Sequence, residues 1–351
     1  RLREQVEQVL EDRRRLGLEG MVGGLECVVV CTERDRLVPA AKKFLDTTGY
    51  HFHTAFEDHT ARNVVLKQEG GADFLFINRK GRDNPFRAVN AAPRTEHLPD
   101  TRLETFVFKC PDLEHYVDIQ RGRGRKFMTD EIIETDTYLF IQTRPSPYTG
   151  NSLGFIKWLG EEGAYAWEGA APWDLTLAKP DKPHLANIHE LDHTATRVRA
   201  SERDAAILEF MDYTNYDFDF AIYVESLNSI TSVARLSEDD YAQVFTSGIA
   251  PFKSLEESGP TEKYIHNHGT RVHHMAFRTE DIEDTYQAFK DEGMGFLVEL
   301  VGGPDEGLHQ TFTEPSPHTL LVTEYIRRYG DFDGFFTRSN VTELTRATDK
   351  Q

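Results

Sequence analysis

The chain has 351 residues, 39% of them hydrophobic and 28% charged, enough for about two domains with cores of their own. Acidic residues outnumber basic ones 59 to 40, a net charge of −19, which excludes a duplex nucleic-acid binder whose affinity rests on neutralising phosphates. No run of about 18 apolar residues is present to cross a membrane, and no signal-peptide pattern opens the chain. The only cysteines, Cys27, Cys31 and Cys110, make no disulfide framework. The expectation is a cytoplasmic globular protein.

Residues 1–20 read as a helical segment. The β-branched run Gly24–Val30 then predicts a strand, and Asp35–Thr48 a helix. Strand-like runs follow at His51–Phe56, Asn63–Lys67 and Phe74–Asn78. Leu103–Glu114 reads as strand, turn and acidic helix start, which suits the helix dipole. Arg121-Gly-Arg-Gly-Arg-Lys126 is the one basic cluster and reads as a solvated, glycine-rich loop. Another strand is expected at Tyr138–Arg144. Pro145–Pro183 holds five prolines and all three tryptophans, and reads as a connecting segment packed on the domains.

The pattern then starts again. Glu190–Thr196 predicts a strand, Ser201–Tyr213 a helix, and Phe218–Glu225, Thr231–Leu236 and Tyr241–Thr246 further strands. Val272–Glu283 repeats the strand, turn and acidic helix start of Leu103–Glu114. Leu320–Ile326 pairs more weakly with Tyr138–Arg144. A Gly- and Phe-rich stretch follows Arg328, and a helix is expected from about Val341. The repeat offsets are 166 (27 to 193), 169 (105 to 274) and 182 (142 to 324), as a duplication with insertions would give. The expected boundaries are 21–150 for a first domain, 151–185 for the connection, 186–328 for a second domain and 329–351 for the tail.

The halves differ at three of these positions. Cys27, Thr105 and Gln142 in the first half match His193, His274 and Glu324 in the second. Two imidazoles and a carboxylate form the facial triad of non-haem Fe(II) oxygenases, with open positions for a chelating substrate and O₂. Zinc competes on ligand type alone. In a regular strand Val272, His274 and Ala276 share one face and His273 points away, so the two adjacent histidines would not both be ligands. Glu324 between Val322 and Ile326 is costly to bury unless paired or metal-bound.

These residues resemble 4-hydroxyphenylpyruvate dioxygenase and 4-hydroxymandelate synthase, of the vicinal-oxygen-chelate superfamily. The resemblance is carried by Leu191-Asp-His-Thr-Ala-Thr196, Gly269–Ile282, Leu308-His-Gln-Thr-Phe-Thr-Glu-Pro315, Glu324-Tyr-Ile-Arg-Arg-Tyr-Gly330 and Gly334-Phe-Phe-Thr-Arg-Ser-Asn340. It is strong from about residue 186 onward and rests on size and layout before that. It implies an α+β fold of two tandem domains, each of paired βαβββ units forming a half-open mixed barrel, plus a C-terminal helix. It implies Fe(II) on His193, His274 and Glu324, with a 2-oxo acid chelating the iron and O₂ as co-substrate. Oxidative decarboxylation would be coupled to side-chain hydroxylation, with 4-hydroxyphenylpyruvate to homogentisate as the default, a step of aromatic amino acid breakdown. A homo-oligomer, dimer or tetramer, is also implied.

Position by position, the resemblance implies substrate-pocket roles for Ser232, Ser247, Gln310 and Phe312, with Gln310 counted among the catalytic residues. Phe335 or Phe336 would be the gate ring that stacks on the substrate. The departures sit around the ring-recognition positions. His273 stands where the family has Gln, and is itself expected at the substrate. Ser247 replaces the pocket Asn, Phe245-Thr-Ser-Gly-Ile249 replaces a Pro-x-Asn-Glu-Pro segment, and a third pocket Gln falls at Gly259. Changing polar groups that bind a hydroxyl changes discrimination, so 4-hydroxymandelate synthesis or action on another 2-oxo acid stays open. So do a different metal reaction on the scaffold (isomerisation, hydrolysis or extradiol cleavage) and a non-catalytic ligand-binding role.

Overall fold

The structure is a computed structural model and describes residues 2–81 and 83–351. An N-terminal helix α1 (Leu2–Arg15) precedes β1 (Leu25–Cys31), α2 (Leu37–Thr47), β2 (His51–Glu57), β3 (Ala61–Lys67) and β4 (Asp73–Arg79). Next come β5 (Arg102–Lys109), α3 (Leu113–Gly122), β6 (Ile133–Glu134), β7 (Tyr138–Gln142), β8 (Ser152–Trp158) and β9 (Ala171–Pro172). These nine strands form one mixed sheet in the order β6-β7-β8-β5-β1-β4-β3-β2-β9.

The second half repeats it with β10 (Ile188–Arg197), α4 (Arg203–Tyr213), β11 (Asp217–Val224), β12 (Ser229–Arg235) and β13 (Ala242–Ser247). Then follow α5 (Pro260–His268), β14 (Arg271–Thr279), α6 (Ile282–Asp291), β15 (Phe296–Gly303), β16 (Leu308–Thr313), β17 (Val322–Arg328) and α7 (Arg338–Ala347). Its eight strands run β11-β12-β13-β10-β14-β17-β16-β15. The expected α+β architecture of two tandem domains, each of paired βαβββ units, with a C-terminal helix is what forms. No helix among the described residues is long and apolar enough to cross a membrane.

Register makes the duplication exact enough to correct one alignment. β1 pairs antiparallel with β5 and parallel with β4, as β10 does with β14 and β13. Cys27 opposes Val107 as His193 opposes Ala276, and Thr105 opposes Val29 as His274 opposes Ala195. Those two equivalences stand. The third does not. Glu324 lies beside Ala276 on β17, and the residue beside Val107 is Gly154 on β8. The counterpart of Glu324 is therefore Gly154, at offset 170 (154 to 324), and Gln142 belongs to the neighbouring strand β7. For the same reason the 151–185 connection is corrected: Ser152–Trp158 is an inner strand of the first sheet, and Ala171–Pro172 adds an edge to it.

The core crosses between the halves. Phe44 of α2 packs on Phe74 at 4.5 Å and on Phe277 of β14 at 5.7 Å. Burial of Leu37, Ala40, Ala41, Phe44 and Leu45 gives α2 a continuous apolar stripe at helical spacing. Helix α1 clamps the second half: buried Arg13 donates to the carbonyls of Met211 (2.9 Å) and Tyr216 (3.0 Å) and pairs with Asp217 (2.7 Å). Lys179, in the segment before β10, donates to the carbonyls of Leu45 and Tyr50 and so caps the end of α2.

Candidate metal centre in the second half-barrel

Strand alternation sorts the second sheet into two faces. The convex face packs on α4 and the first domain, through Phe245 against Phe210 (5.8 Å) and Tyr241 against Phe106 (6.2 Å). The concave face carries Ala195, Val233 and Val244, clustered with Phe335, Phe336 and Val341. The concave side is closed by α7 and the stretch before it, and His193, His274 and Glu324 lie inside.

One potential ligand atom from each lies within 4.8 Å of the other two. His193 Nε2 is 3.3 Å and His274 Nε2 3.2 Å from Glu324 Oε2. All three residues are at most 3% exposed, and none of the three atoms has a hydrogen-bond partner. Two lone-pair nitrogens and a carboxylate oxygen, buried and orphaned at one point, fit a divalent cation; without one they are an expensive arrangement.

The remaining atoms of each ligand are spoken for. His193 Nδ1 donates to Asp192 Oδ1 (2.7 Å), which directs Nε2 inward. Asp192 is itself gripped by Arg328 (2.6 and 3.0 Å) and Arg278 (3.1 Å). Burial pushes Asp192 up, but His193 and Arg328 outweigh it and hold the carboxyl far below its usual range. Burial pushes His193 down, yet Glu324 and Asp192 carry it up to about 9. Burial dominates at His274 and lowers it to about 4. Glu324 is driven up by burial but held to about 2 by the two histidines.

His273 is corrected in two respects. The β10–β14 register shifts between Ala195 and Thr196, so β14 carries one extra residue there. This bulge turns the adjacent histidines toward each other instead of to opposite faces. Their Nδ1 atoms are 2.8 Å apart, and His273 Nε2 is 2.7 Å from Gln351 Oε1. One tautomer set satisfies the chain: His273 Nε2–H donates to Gln351, and His274 Nδ1–H donates to His273 Nδ1. That leaves His274 Nε2 free for a cation. His273 thus supports a ligand and is not placed as a substrate contact. The first sheet has the same bulge at Glu104, which takes a two-pronged ion pair from Arg79 (2.5 and 2.6 Å).

The other expected pocket residues divide. Gln310 and Phe312 are on the concave face: Phe312 pairs with Glu324, and its ring lies 4.7 Å from His274. Gln310 donates to Glu324 Oε1 (2.7 Å) and to the Phe335 carbonyl (2.9 Å), and accepts from Asn340 of α7 (3.0 Å). Its amide is fully used in positioning Glu324. Phe335 and Phe336 lie 5.3 and 6.2 Å from the His193 ring, and Arg328 sits 4.9 Å over Phe335. Ser232 and Ser247 are misplaced. Ser232 opposes Phe245, so both serines share the convex face, away from the triad. A one-residue slip in register flips the face; the polar groups that do line the concave side are their neighbours Thr231 and Thr246, whose hydroxyls are 3.3 Å apart. Gly259 precedes α5, and a Cβ there would lie 2.2 Å from the Leu227 carbonyl, so that position admits no side chain.

Of the supporting residues, Arg328, Asn340 and Gln351 escape sequence reading because their partners lie far away along the chain. Only Asp192 carried a signal, as the acid beside a metal-spaced histidine.

No protein-family model matches the chain. Among solved structures, a mutant of 4-hydroxymandelate synthase from Streptomyces coelicolor superposes with a TM-score of 0.68 at 16% identity, over 94% of this chain and 98% of that one. A xylose isomerase-like TIM barrel/4-hydroxyphenylpyruvate dioxygenase fusion protein gives 0.65 at 15% identity, over 99% of this chain and 58% of the fusion. This chain therefore spans little more than half of the fusion protein's length. The chain has the two-domain fold shared by 4-hydroxymandelate synthase and the dioxygenase fusion protein.

Proposed function

We propose that the chain belongs to the 4-hydroxyphenylpyruvate dioxygenase and 4-hydroxymandelate synthase family and is an Fe(II)-dependent dioxygenase of an aryl-substituted 2-oxo acid. The observation that carries this reading is the convergence of three buried potential ligand atoms, from two histidines and one glutamate, that face only one another and have no hydrogen-bond partner. The fold shared with 4-hydroxymandelate synthase and a 4-hydroxyphenylpyruvate dioxygenase fusion protein supports it. Bound Fe(II) would supply a Lewis-acidic, redox-active point at which a chelating 2-oxo acid and O₂ react.

The protein's own residues do the rest. Asp192 and His273 orient the two imidazoles so that both present Nε2 inward, and His193 would give up the proton it otherwise carries there when a cation binds. Gln310 holds one Glu324 oxygen and leaves the other free. Phe312, Phe335 and Phe336 exclude water from the ligands and offer faces on which an aryl ring can stack. Because Gln310 bonds both the Phe335 carbonyl and Asn340, opening the gate to admit substrate pulls on the residue that positions Glu324.

4-Hydroxyphenylpyruvate converted to homogentisate remains the default reaction. The concave side argues for a wider panel, since its strand hydroxyls are Thr231 and Thr246 and the serines face away. The test is turnover of a panel of 2-oxo acids by the iron-loaded protein, following O₂ uptake and CO₂ release. Activity without O₂, or a zinc-loaded protein as active as the iron-loaded one, sinks the dioxygenase reading.

A further inference from the structure

A cavity of about 220 Å³ lies between the two domains, on the convex side of the second sheet and apart from the metal centre. Its apolar walls come from both halves: Phe106 and Leu153 from the first, Ala206, Phe210 and Phe245 from the second. Three cations line it, Arg125, Lys126 and Arg144, against the single carboxylate of Glu209. In a chain of net charge −19 that balance is a local inversion of sign.

Two of the cations come from the basic run, which is therefore more than a solvated loop. Arg123 and Arg125 are anchored on Asp212 of α4, so the run bridges the domains. Lys126 and Arg144 have exposed side chains with no hydrogen-bond or ion-pair partner among the described residues. Glu209 is turned to the Ser146 hydroxyl. Asn151 also lines the cavity and is 3% exposed; its Nδ2 donates to the Leu103 carbonyl (2.9 Å), while its Oδ1 is buried without a donor. A buried acceptor left open costs stability unless something fills it.

We propose that this interdomain cavity is a binding site for a small aromatic carboxylate, one ring in size, that carries a hydroxyl or amino donor. The carboxylate meets Lys126 and Arg144, the ring takes the phenylalanine walls, and the donor satisfies Asn151 Oδ1. The size fits, since cavities of about 150 Å³ accept a benzene ring. Clefts between domains, apolar with a few convergent polar groups, are common ligand sites. Thr196 and Gln243 form part of the wall and bond each other at 3.0 Å. They stand on β10 and β13, and His193 lies on β10 three residues before Thr196, so an occupant abuts the strand that carries a metal ligand.

The site needs no metal, so its test is separate from that of the dioxygenase reading. Calorimetric titration of the full chain, freed of metal by a chelator, is done with 4-hydroxyphenylacetate, phenylacetate and inorganic phosphate. One equivalent of 4-hydroxyphenylacetate is expected to bind, more tightly than phenylacetate and far more tightly than phosphate. The double variant Lys126→Glu/Arg144→Glu should weaken binding by about tenfold or more, and Glu324→Gln should leave it unchanged. No binding up to about 10 mM, equal binding of phosphate, indifference to the double charge reversal, or loss of binding in Glu324→Gln each overturns the proposal.

Discussion

His273→Leu tests the relay behind the second histidine ligand. The change puts an apolar side chain of similar reach on the bulge but removes the acceptor 2.8 Å from His274 Nδ1 and the donor to Gln351. His274 Nδ1–H then has no partner in a fully buried setting, at a cost of about 1–3 kcal/mol. Nothing then selects the tautomer that leaves Nε2 for the cation. Loss of such outer support lowers metal affinity by about 10–100-fold, equivalent to about 1.4–2.7 kcal/mol. His273→Gln is the control, because its amide oxygen can accept the same hydrogen bond. Fe(II) affinity is measured by competition with a chelator, alongside thermal unfolding of the metal-free proteins. The Leu variant should lose affinity in the stated range, and the Gln variant should recover most of it. Wild-type affinity in the Leu variant, with an intact fold, refutes the relay.

Cys27→Ser should leave iron content unchanged, because Cys27 lies in the first barrel, where burial holds its thiol well above the ordinary value; loss of iron would show that the metal site is assigned to the wrong half. Thr246→Val should change KM or kcat for a 2-oxo acid, whereas Ser232→Ala, whose hydroxyl is partnerless on the convex face, should change neither activity nor stability by more than about 0.5 kcal/mol. The reverse pattern would restore the serines to the pocket. His268, half-buried and stacked on Tyr264 at 4.4 Å, is pushed down to about 4 by burial and by Arg271. A histidine kept neutral in the fold contributes stability above the unfolded value near 6.5, and that contribution is lost as pH falls from 6.5 toward 4. Between pH 7 and pH 5 the wild type should therefore lose about 1–2 kcal/mol more than His268→Gln in urea unfolding; equal losses would contradict the assignment.

Much of the architecture was legible because it is written in local pattern. The runs at His51–Phe56, Phe218–Glu225 and Tyr241–Thr246 fall within a residue of observed strands, and α7 forms where the tail was read as helical. The His193–His274–Glu324 group was legible because a duplicated fold supplies its own control: Cys27 and Thr105 sit at the His193 and His274 positions. The errors share one cause, which is that register is a property of the sheet and not of the segment. Strand β8, with its Gly154 and its proline-rich approach, looked like linker, so Glu324 was matched to Gln142 on the wrong strand. The bulge at His273 is invisible without β10 opposite it, and a slip of one residue put Ser232 and Ser247 on the concave side in place of Thr231 and Thr246. The contacts from Asn340 of α7 to Gln310 and from Gln351 to His273 join residues tens of positions apart, and no spacing rule reaches them.

We propose that His193, His274 and Glu324 hold one Fe(II) that couples O₂ consumption to decarboxylation of a 2-oxo acid. The direct measurement is simultaneous O₂ uptake and CO₂ release by iron-loaded wild type and Glu324→Gln, each with its metal content determined. The wild type should bind one iron and consume one O₂ for each CO₂ released, and the variant should lose iron and both signals together. Decarboxylation without O₂ uptake, or full iron content and turnover in Glu324→Gln, would contradict the account.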